Sequence, residues 1–444
     1  MLGEYRIEGR GAADIAASVE RGVRAGDLAP GQLLPPMRAL AAQLGVNANT
    51  VAAAYRTLRE RGLIETDGRR GSRVRPRPAA TRRESVGVEV PAGATDVSQG
   101  NPDPALLPPL RGALAAAAAR SSREPMLYGQ PALDPRLAGL ARAALDEDGV
   151  PAGPTAVTSG SLDAIERVLA AHLRPGDAVA VEDPGWGALL DLVPALGLRT
   201  LPVPVDDDGP YPDGVERALA QGARAVIVTD RAQNPTGAAV SAARARALRR
   251  VLRAHPDLLI VEDDHGHGIA GLPLHPLATA ARGHWALVRS TSKAYGPDLR
   301  LAVLTGDPVT VDRVGGRQRL GPGWVSRLLQ DAVAHLWEKG AVDPAAVARS
   351  YGERRDALVA ALAERGVTAH GRSGLNVWVP VPDETAAVTR LSHAGWAAAP
   401  GARFRIASPP GVRLTVSPLT ARSVPRLADA VAAALRPGDA RRYD

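Results

Sequence analysis

The 444-residue chain has no cysteine, a single phenylalanine (Phe404) and only two lysines, Lys293 and Lys339. Without thiols, disulfides and thiolate metal sites are excluded, and an intracellular location fits. With so few aromatic rings, cores must be packed from Leu, Val and Ala. No run approaches the roughly 20 apolar residues of a membrane span, and no apolar signal core stands at the start. The expected location is the cytoplasm, with no membrane partner. Basic residues number 54 and are nearly all arginine. A composition that disfavours lysine makes each lysine a question about what arginine could not do there. Arginine cannot form a Schiff base, because its guanidinium stays protonated and is a poor nucleophile.

What is present suggests two or three domains, since the chain is too long for one ordinary core. The net charge of +7 says less than its distribution. Arg69, Arg70, Arg73, Arg75 and Arg77 crowd one short stretch, a plausible phosphate-facing footprint. Arg82 and Arg83 read instead as part of a basic linker.

Residues 1–75 read as a helical unit with a terminal hairpin. A first helix spans 12–24, with Ile15, Val19 and Val23 at helical spacing. A second runs from Pro36, in its first turn, to Leu44 and stops at Gly45. Asn47 can cap a third, which ends before Gly62. Residues 63–66 and 72–74 form the hairpin. Residues 76–94 are a Pro/Arg/Ala-rich linker. From Thr95 short apolar runs (178–181, 225–228, 258–261) alternate with amphipathic stretches, which predicts a parallel sheet covered by helices. In such sheets ligands sit at the carboxyl ends of strands. Residues 95–320 form this large subdomain, and 321–444 a smaller α+β one.

Two short helices, a tight turn and a hairpin outline a winged helix-turn-helix. The second helix of the pair would present Asn47, Asn49 and Thr50 to base edges or phosphates, and Arg69 and Arg70 of the hairpin would meet phosphate. Leu34 to Ala41, Leu44-Gly45-Val46, Thr50-Val51, Ala54-Tyr55, Leu58 and Gly62-Leu63-Ile64 resemble the GntR-type winged helix. That resemblance implies a double-stranded DNA operator and a DNA contact by Arg38. The family often carries arginine where Ala48 and Ala52 stand, so Arg38, Asn49, Thr50 and the wing carry more of the contact.

Five further features converge on one ligand. Ser290-Thr291-Ser292-Lys293 follows an apolar pair, so the amine can lie in a pocket at a strand end, as an internal aldimine requires. Arg300, seven residues on, could reach a phosphate bidentately. Thr158-Ser159-Gly160-Ser161 opens a helix and can expose N–H groups to an anion. Glu262-Asp263-Asp264 puts carboxylates at a strand end; a protonated pyridine nitrogen would pair one of them, although Asp263-Asp264 could equally cap a helix. Gln233-Asn234-Pro235-Thr236-Gly237 is a turn able to aim an amide. Trp186, after Asp183-Pro184-Gly185, could stack on a ring or fill the core.

In this order, with Gly100-Asn101-Pro102 before and Gly411-Val412-Arg413-Leu414 after, these motifs resemble the class I, fold-type I aminotransferases. The resemblance implies pyridoxal 5'-phosphate as cofactor: Lys293 as its Schiff-base residue, Asp263 on the pyridine nitrogen, Asn234 on the ring oxygen and Trp186 stacked. Gly160, Ser161, Ser290, Ser292 and Arg300 would hold phosphate, and Arg413 the carboxylate of an amino-acid effector. Tyr128 is similar to the tyrosine that reaches the neighbouring subunit's phosphate, which implies a homodimer. His265 stands where the family usually has a tyrosine bonding the ring oxygen. His265 and His267 beside two aspartates have too local a spacing to indicate a metal.

A GntR-like reader joined to an aminotransferase-like domain resembles the MocR/GabR group of regulators. The expected function is a DNA-binding transcriptional regulator that senses PLP or an amino-acid-like effector. A working aminotransferase with a DNA-binding arm, and a PLP-sensing scaffold without DNA contact, remain the alternatives.

Overall fold

The computed structural model describes residues 5–436 except 26, 30, 61–62, 67–70, 75–82, 84–89 and 282. The chain divides into two compact units, residues 1–85 with 174–178 and 188–200, and residues 86–173 with 179–187 and 201–444.

The first unit carries α1 (Ala12–Ala25), α2 (Met37–Leu44), α3 (Ala48–Glu60), β1 (Ile64–Thr66) and β2 (Ser72–Val74). The two strands are antiparallel, with Glu65 opposite Arg73. α2 stops because Gly45 adopts the left-handed conformation, φ 65°, which costs glycine nothing. Asn47 then caps α3, its Oδ1 accepting from the Asn49 N–H at 2.8 Å. Pro36 lies at the N-cap of α2 rather than inside its first turn, one residue from the expected place. The helical spacing buries Ile15, Val19, Leu40, Val51, Tyr55 and Leu58 with Ile64 and Val74 of the hairpin. Burial raises the pKa of the Tyr55 hydroxyl, which donates to the Pro35 carbonyl at 2.8 Å.

Later in the chain come β3 (Thr95–Asp96), α4 (Arg111–Arg123), α5 (Pro135–Glu147), β4 (Thr155–Thr158), α6 (Ser161–His172), β5 (Ala178–Asp183) and α7 (Gly187–Ala195). β6 (Arg199–Asp206), β7 (Gly209–Pro210), α8 (Pro212–Ala220), β8 (Ala223–Thr229), α9 (Ala242–Leu252), β9 (Leu259–Asp264), β10 (Trp285–Ser290) and β11 (Ala302–Gly306) follow. The eight-stranded sheet has the order β4-β11-β10-β9-β8-β5-β6-β7. Every residue of β5, β9, β10 and β11 is buried, as a sheet covered on both faces demands.

The sheet is mixed, not purely parallel as its alternating pattern suggests. β8, β9 and β10 run parallel, but β11 is antiparallel to both β10 and β4. The reason is the connection. A parallel return needs a crossover of a dozen or more residues, usually a helix. Between Ser290 and Ala302 the chain has only a loop and one 3₁₀ turn, so it doubles back.

The C-terminal part comprises α10 (Pro308–Arg319), α11 (Arg327–Glu338), α12 (Pro344–Ala363), β12 (Asn376–Pro380), α13 (Glu384–His393), β13 (Trp396–Ala397), β14 (Ala399–Pro400), β15 (Gly411–Thr415) and α14 (Ser423–Leu435). β12, β15 and β14 form a three-stranded sheet, and β13 pairs with β3. Residues 95–96 are thus woven into the C-terminal part.

Candidate functional site

The surface available to DNA is small-residue and polar. Arg38 is exposed on α2, and Asn47 and Asn49 are exposed at the start of α3. Thr50 is half-buried, with its N–H bonded to the Asn47 carbonyl at 3.0 Å. The side-chain carbonyl of Asn47 is spent on the cap, which leaves its amide protons to face outward. Arg69 and Arg70 lie outside the described residues. Along α3, Val51, Ala54, Tyr55 and Leu58 face the core. The other side carries Asn49, Ala52, Ala53 and Arg56, none of them buried.

The cofactor constellation assembles at the carboxyl ends of β8, β9 and β10 and at the start of α6. Lys293 follows β10, half-buried, and its Nζ donates to the Gly100 carbonyl at 2.5 Å. Lys339 is different: it caps the carboxyl end of α11 and is exposed. The strand period separates the acids of β9, since successive side chains point to opposite faces. Glu262 turns to one face and accepts from the Leu277 and Ala278 amides at 2.5 and 2.7 Å. Asp264, on the same face, binds Arg231 and Arg289 at 2.8 and 2.9 Å. Burial opposes its charge, but Arg289 and Arg231 outweigh that and hold its pKa well below the usual range. Neither Asp263 nor Asp264 caps a helix. Asp263 alone faces the other side; it is 3% exposed, and its Oδ1 has no hydrogen-bond partner. An unsatisfied buried carboxylate oxygen is costly, and a pyridinium N–H is a donor that would satisfy it.

Both ring nitrogens of His265 face acceptors within the chain. Its Nε2 lies 2.8 Å from the Ala232 carbonyl and its Nδ1 lies 3.1 Å from Asp263 Oδ2. Burial works against its charge, but Asp263 and the Ala232 carbonyl prevail and its pKa is raised, with Lys293 opposing them. His267 goes elsewhere. Burial and then Arg289 push its pKa down to about 4. Asp148, Asp264 and His267 present ligand atoms within 4.8 Å of one another, but Arg231 and Arg289 already supply positive charge to both acids.

The turn of Asn234 is docked rather than loose. Gly237 has φ 70°, and a Cβ there would lie 2.7 Å from the Asn376 carbonyl, so only glycine permits this approach. Gln233 is buried, its amide donating to Glu182 at 3.2 Å and to the Pro184 carbonyl at 2.9 Å. Burial pushes the Glu182 carboxyl up to about 7. Asn234 Oδ1 accepts from Arg413 Nη1 at 2.9 Å, leaving its amide protons to donate elsewhere. Arg413 also donates to the Ser98 carbonyl at 2.5 Å and lies 4.7 Å above the Phe404 ring. Ser98 and Phe404 escaped sequence reasoning, although a lone phenylalanine in so aromatic-poor a chain was the available signal.

Asp183 of the Trp186 turn collects the amides of Ile406, Ala407 and Ser408 at 2.7–2.9 Å. Trp186 itself is half-buried.

At the phosphate end, Gly160 has φ 99°, and a Cβ there would stand 2.8 Å from Arg300. Arg300 is exposed and donates to the Ser159 carbonyl at 2.9 Å. Ser161 Oγ is buried at the N-terminus of α6 with no partner, so an anion acceptor would complete it. Ser290 Oγ and Ser292 Oγ lie 2.9 Å apart. Both ends of the site therefore fit a molecule with a phosphate tail and a protonatable ring nitrogen. Tyr128 stands away from this group on its own chain: it is 92% exposed, edge-on to Trp324 at 5.5 Å.

This sheet and this set of side chains define a fold-type I aminotransferase-like protein, the class that uses pyridoxal 5'-phosphate. Residues 94–431 match the family described as aminotransferase class I and II, and residues 12–74 match bacterial regulatory proteins of the gntR family. The chain belongs to the class I/II aminotransferase family, in the MocR-type arrangement that places a GntR region before it. It is 40% identical, over 95% of its length and 98% of the relative's, to the vitamin B6 salvage pathway transcriptional repressor PtsJ of Salmonella typhimurium. It is 29% identical, over 74% of its length and 73% of the relative's, to the pyridoxine biosynthesis transcriptional regulator PdxR of Corynebacterium glutamicum. Among solved structures, α-aminoadipate aminotransferase LysN of Thermus thermophilus, complexed with N-(5'-phosphopyridoxyl)-L-leucine, superimposes with TM-score 0.68 at 25% identity. That match covers 80% of this chain and 97% of LysN.

Proposed function

We propose that this chain is a cytoplasmic, homodimeric transcriptional regulator that reads operator DNA through α2, α3 and the wing. It senses pyridoxal phosphate, which Lys293 would hold covalently, or an amino-acid-like amine that reacts with the cofactor so held. The observation that carries the sensing half is the pair of buried, unsatisfied atoms, Asp263 Oδ1 and Ser161 Oγ. Each needs a complementary group that a ring nitrogen and a phosphate supply. When bound, the cofactor supplies an electrophilic carbon and an electron sink. The chain's own residues orient it: Asp263 at the ring nitrogen, Asn234 at the ring oxygen, Trp186 on the ring face. Gly160, Ser161, Ser290, Ser292 and Arg300 hold the phosphate. Arg413 receives an effector carboxylate, and Tyr128 extends toward a second copy.

The role of PtsJ in vitamin B6 salvage favours the cofactor itself as effector. An effector that binds one arrangement of the protein better than another shifts its affinity for DNA by linkage. Arg38, Asn47, Asn49, Thr50, Arg69 and Arg70 are the proposed DNA contacts. The outward face of α3 offers an amide and methyl groups before Arg56, a surface suited to adenine edges and thymine methyls.

The test is fluorescence anisotropy with DNA from the neighbourhood of the gene, across a salt series, with and without PLP. Sequence-selective binding with a linear log–log salt slope, altered by PLP, is expected. A second reading, a working aminotransferase, rests on the complete set of Lys293, Asp263, Asn234 and Arg413. Sustained turnover with a keto acid, and no selective DNA binding, would establish it instead.

A further inference from the structure

His265 occupies the position of a family tyrosine, yet its geometry serves a different partner. Its Nε2 faces a backbone carbonyl, which can only accept, so that nitrogen carries a proton. Its Nδ1 faces a carboxylate oxygen of Asp263, also an acceptor, so that nitrogen carries one as well. Both contacts are satisfied together only by a doubly protonated ring between Asp263 and Ala232; burial opposes that charge, Asp263 raises the pKa, and Lys293 is the nearby opposing cation. One Asp263 oxygen is consumed by the clamp and the other is left bare.

Building on the cofactor reading above, we propose that His265 is a positioning residue. It holds Asp263 in one rotamer, so that Oδ1 alone is presented to the ring nitrogen of bound PLP, and it does not serve the ring oxygen. The ring oxygen is then left to Asn234, whose amide protons are uncommitted because its carbonyl is held by Arg413. The tyrosine-to-histidine exchange therefore moves a hydrogen-bond donor from one end of the ring to the support of the other.

The experiment is a double-mutant cycle on PLP affinity, read by equilibrium dialysis and tryptophan fluorescence, with urea unfolding to confirm that each variant folds. His265→Ala should weaken PLP binding by roughly tenfold, the size expected of an orienting partner. Asp263→Ala should weaken it at least as much, and the double variant no more than Asp263→Ala alone, because the histidine acts only through the aspartate. His265→Asn, which keeps a donor near the Nδ1 position, should recover most of the loss. Losses that multiply in the double variant would overturn the proposal, as would tighter binding in His265→Tyr.

A second readout needs no cofactor. In the full-length apo chain labelled with ¹⁵N-histidine, the His265 ring should be an imidazolium at neutral pH and become neutral in Asp263→Ala. A neutral ring in the unsubstituted chain refutes the clamp. If the unsubstituted chain takes up no PLP, the sensing reading fails and the positioning role toward the ring fails with it. If PLP binds but the cycle is additive, only the histidine proposal fails.

Discussion

The winged helix and the aminotransferase-like region solve opposite problems with the same restricted alphabet. In residues 5–74 the buried set is apolar apart from Ser18 and Ser72 among the described residues, and of the proposed DNA contacts Arg38, Asn47 and Asn49 are exposed and Thr50 is half-buried. Around the cofactor site, Glu182, Asp230, Arg231, Glu262, Asp263, Asp264, Arg289 and Arg413 are all buried. One region carries its function on a surface its core does not depend on. The other carries function inside the core, where each charge is held only by its partners. Substitutions should separate function from stability in the first region and entangle them in the second.

The largest effect should come from the ion network behind Asp263. Arg289 is 1% exposed and binds Asp264 at 2.9 Å and Asp148 at 2.5 Å. Arg289→Met removes one of the two guanidiniums that hold buried Asp264 and half-buried Asp148, and should cost about 3–5 kcal/mol in urea unfolding. A loss below 1 kcal/mol would break the contrast. Next, Lys293→Ala should abolish borohydride-trappable PLP while leaving apo DNA binding intact; because Lys293 is half-buried and not one of the buried charges, its urea midpoint should fall less than that of Arg289→Met.

A pH effect of intermediate size follows from His267. Its pKa is lowered in the fold to about 4, so the fold favours the neutral ring. That contribution is present above the unfolded pKa near 6.5 and is lost as pH falls from there to about 4. Thermal stability should drop across this window by on the order of 3 kcal/mol, and His267→Gln should flatten the drop.

The smallest effects on stability should be those at the DNA surface. Asn49→Ala should weaken operator binding by about 1–3 kcal/mol and relax selectivity at one position. Arg38→Ala should weaken binding to all sequences alike and lower the salt slope by about one. Both should leave unfolding within about 0.5 kcal/mol. Either variant unfolding markedly would mean that the surface and the core of the winged helix are not independent.

The same contrast explains what could be read in advance. Periodicity and caps foretold the three helices and the hairpin, because local signals such as Gly45 and Asn47 decide them. The motifs around Lys293 were legible as an ordered set, and the fold pairs His265 with Asp263 and Arg413 with Asn234. Partner choice was not legible. Spacing within Glu262-Asp263-Asp264 does not say which acid turns toward the site until the phase of β9 is known; only the family resemblance singled out Asp263. That His265 faces the Ala232 carbonyl was hidden too, because a residue 33 positions earlier in the chain is invisible to local spacing. The reversal of β11 was hidden for a similar reason: strand direction is set by the length of a connection, not by the strand's own residues.

The placement of the two lysines has a practical corollary. One amine is half-enclosed after a sheet strand; the other projects into water at the end of α11. Arginine does not compete for aldehydes, so the exposed Lys339 is an internal reference on the same molecule. The ratio of labelling at the two positions, counted by peptide mass, reports how strongly the fold activates one amine, independent of reagent dose or protein concentration.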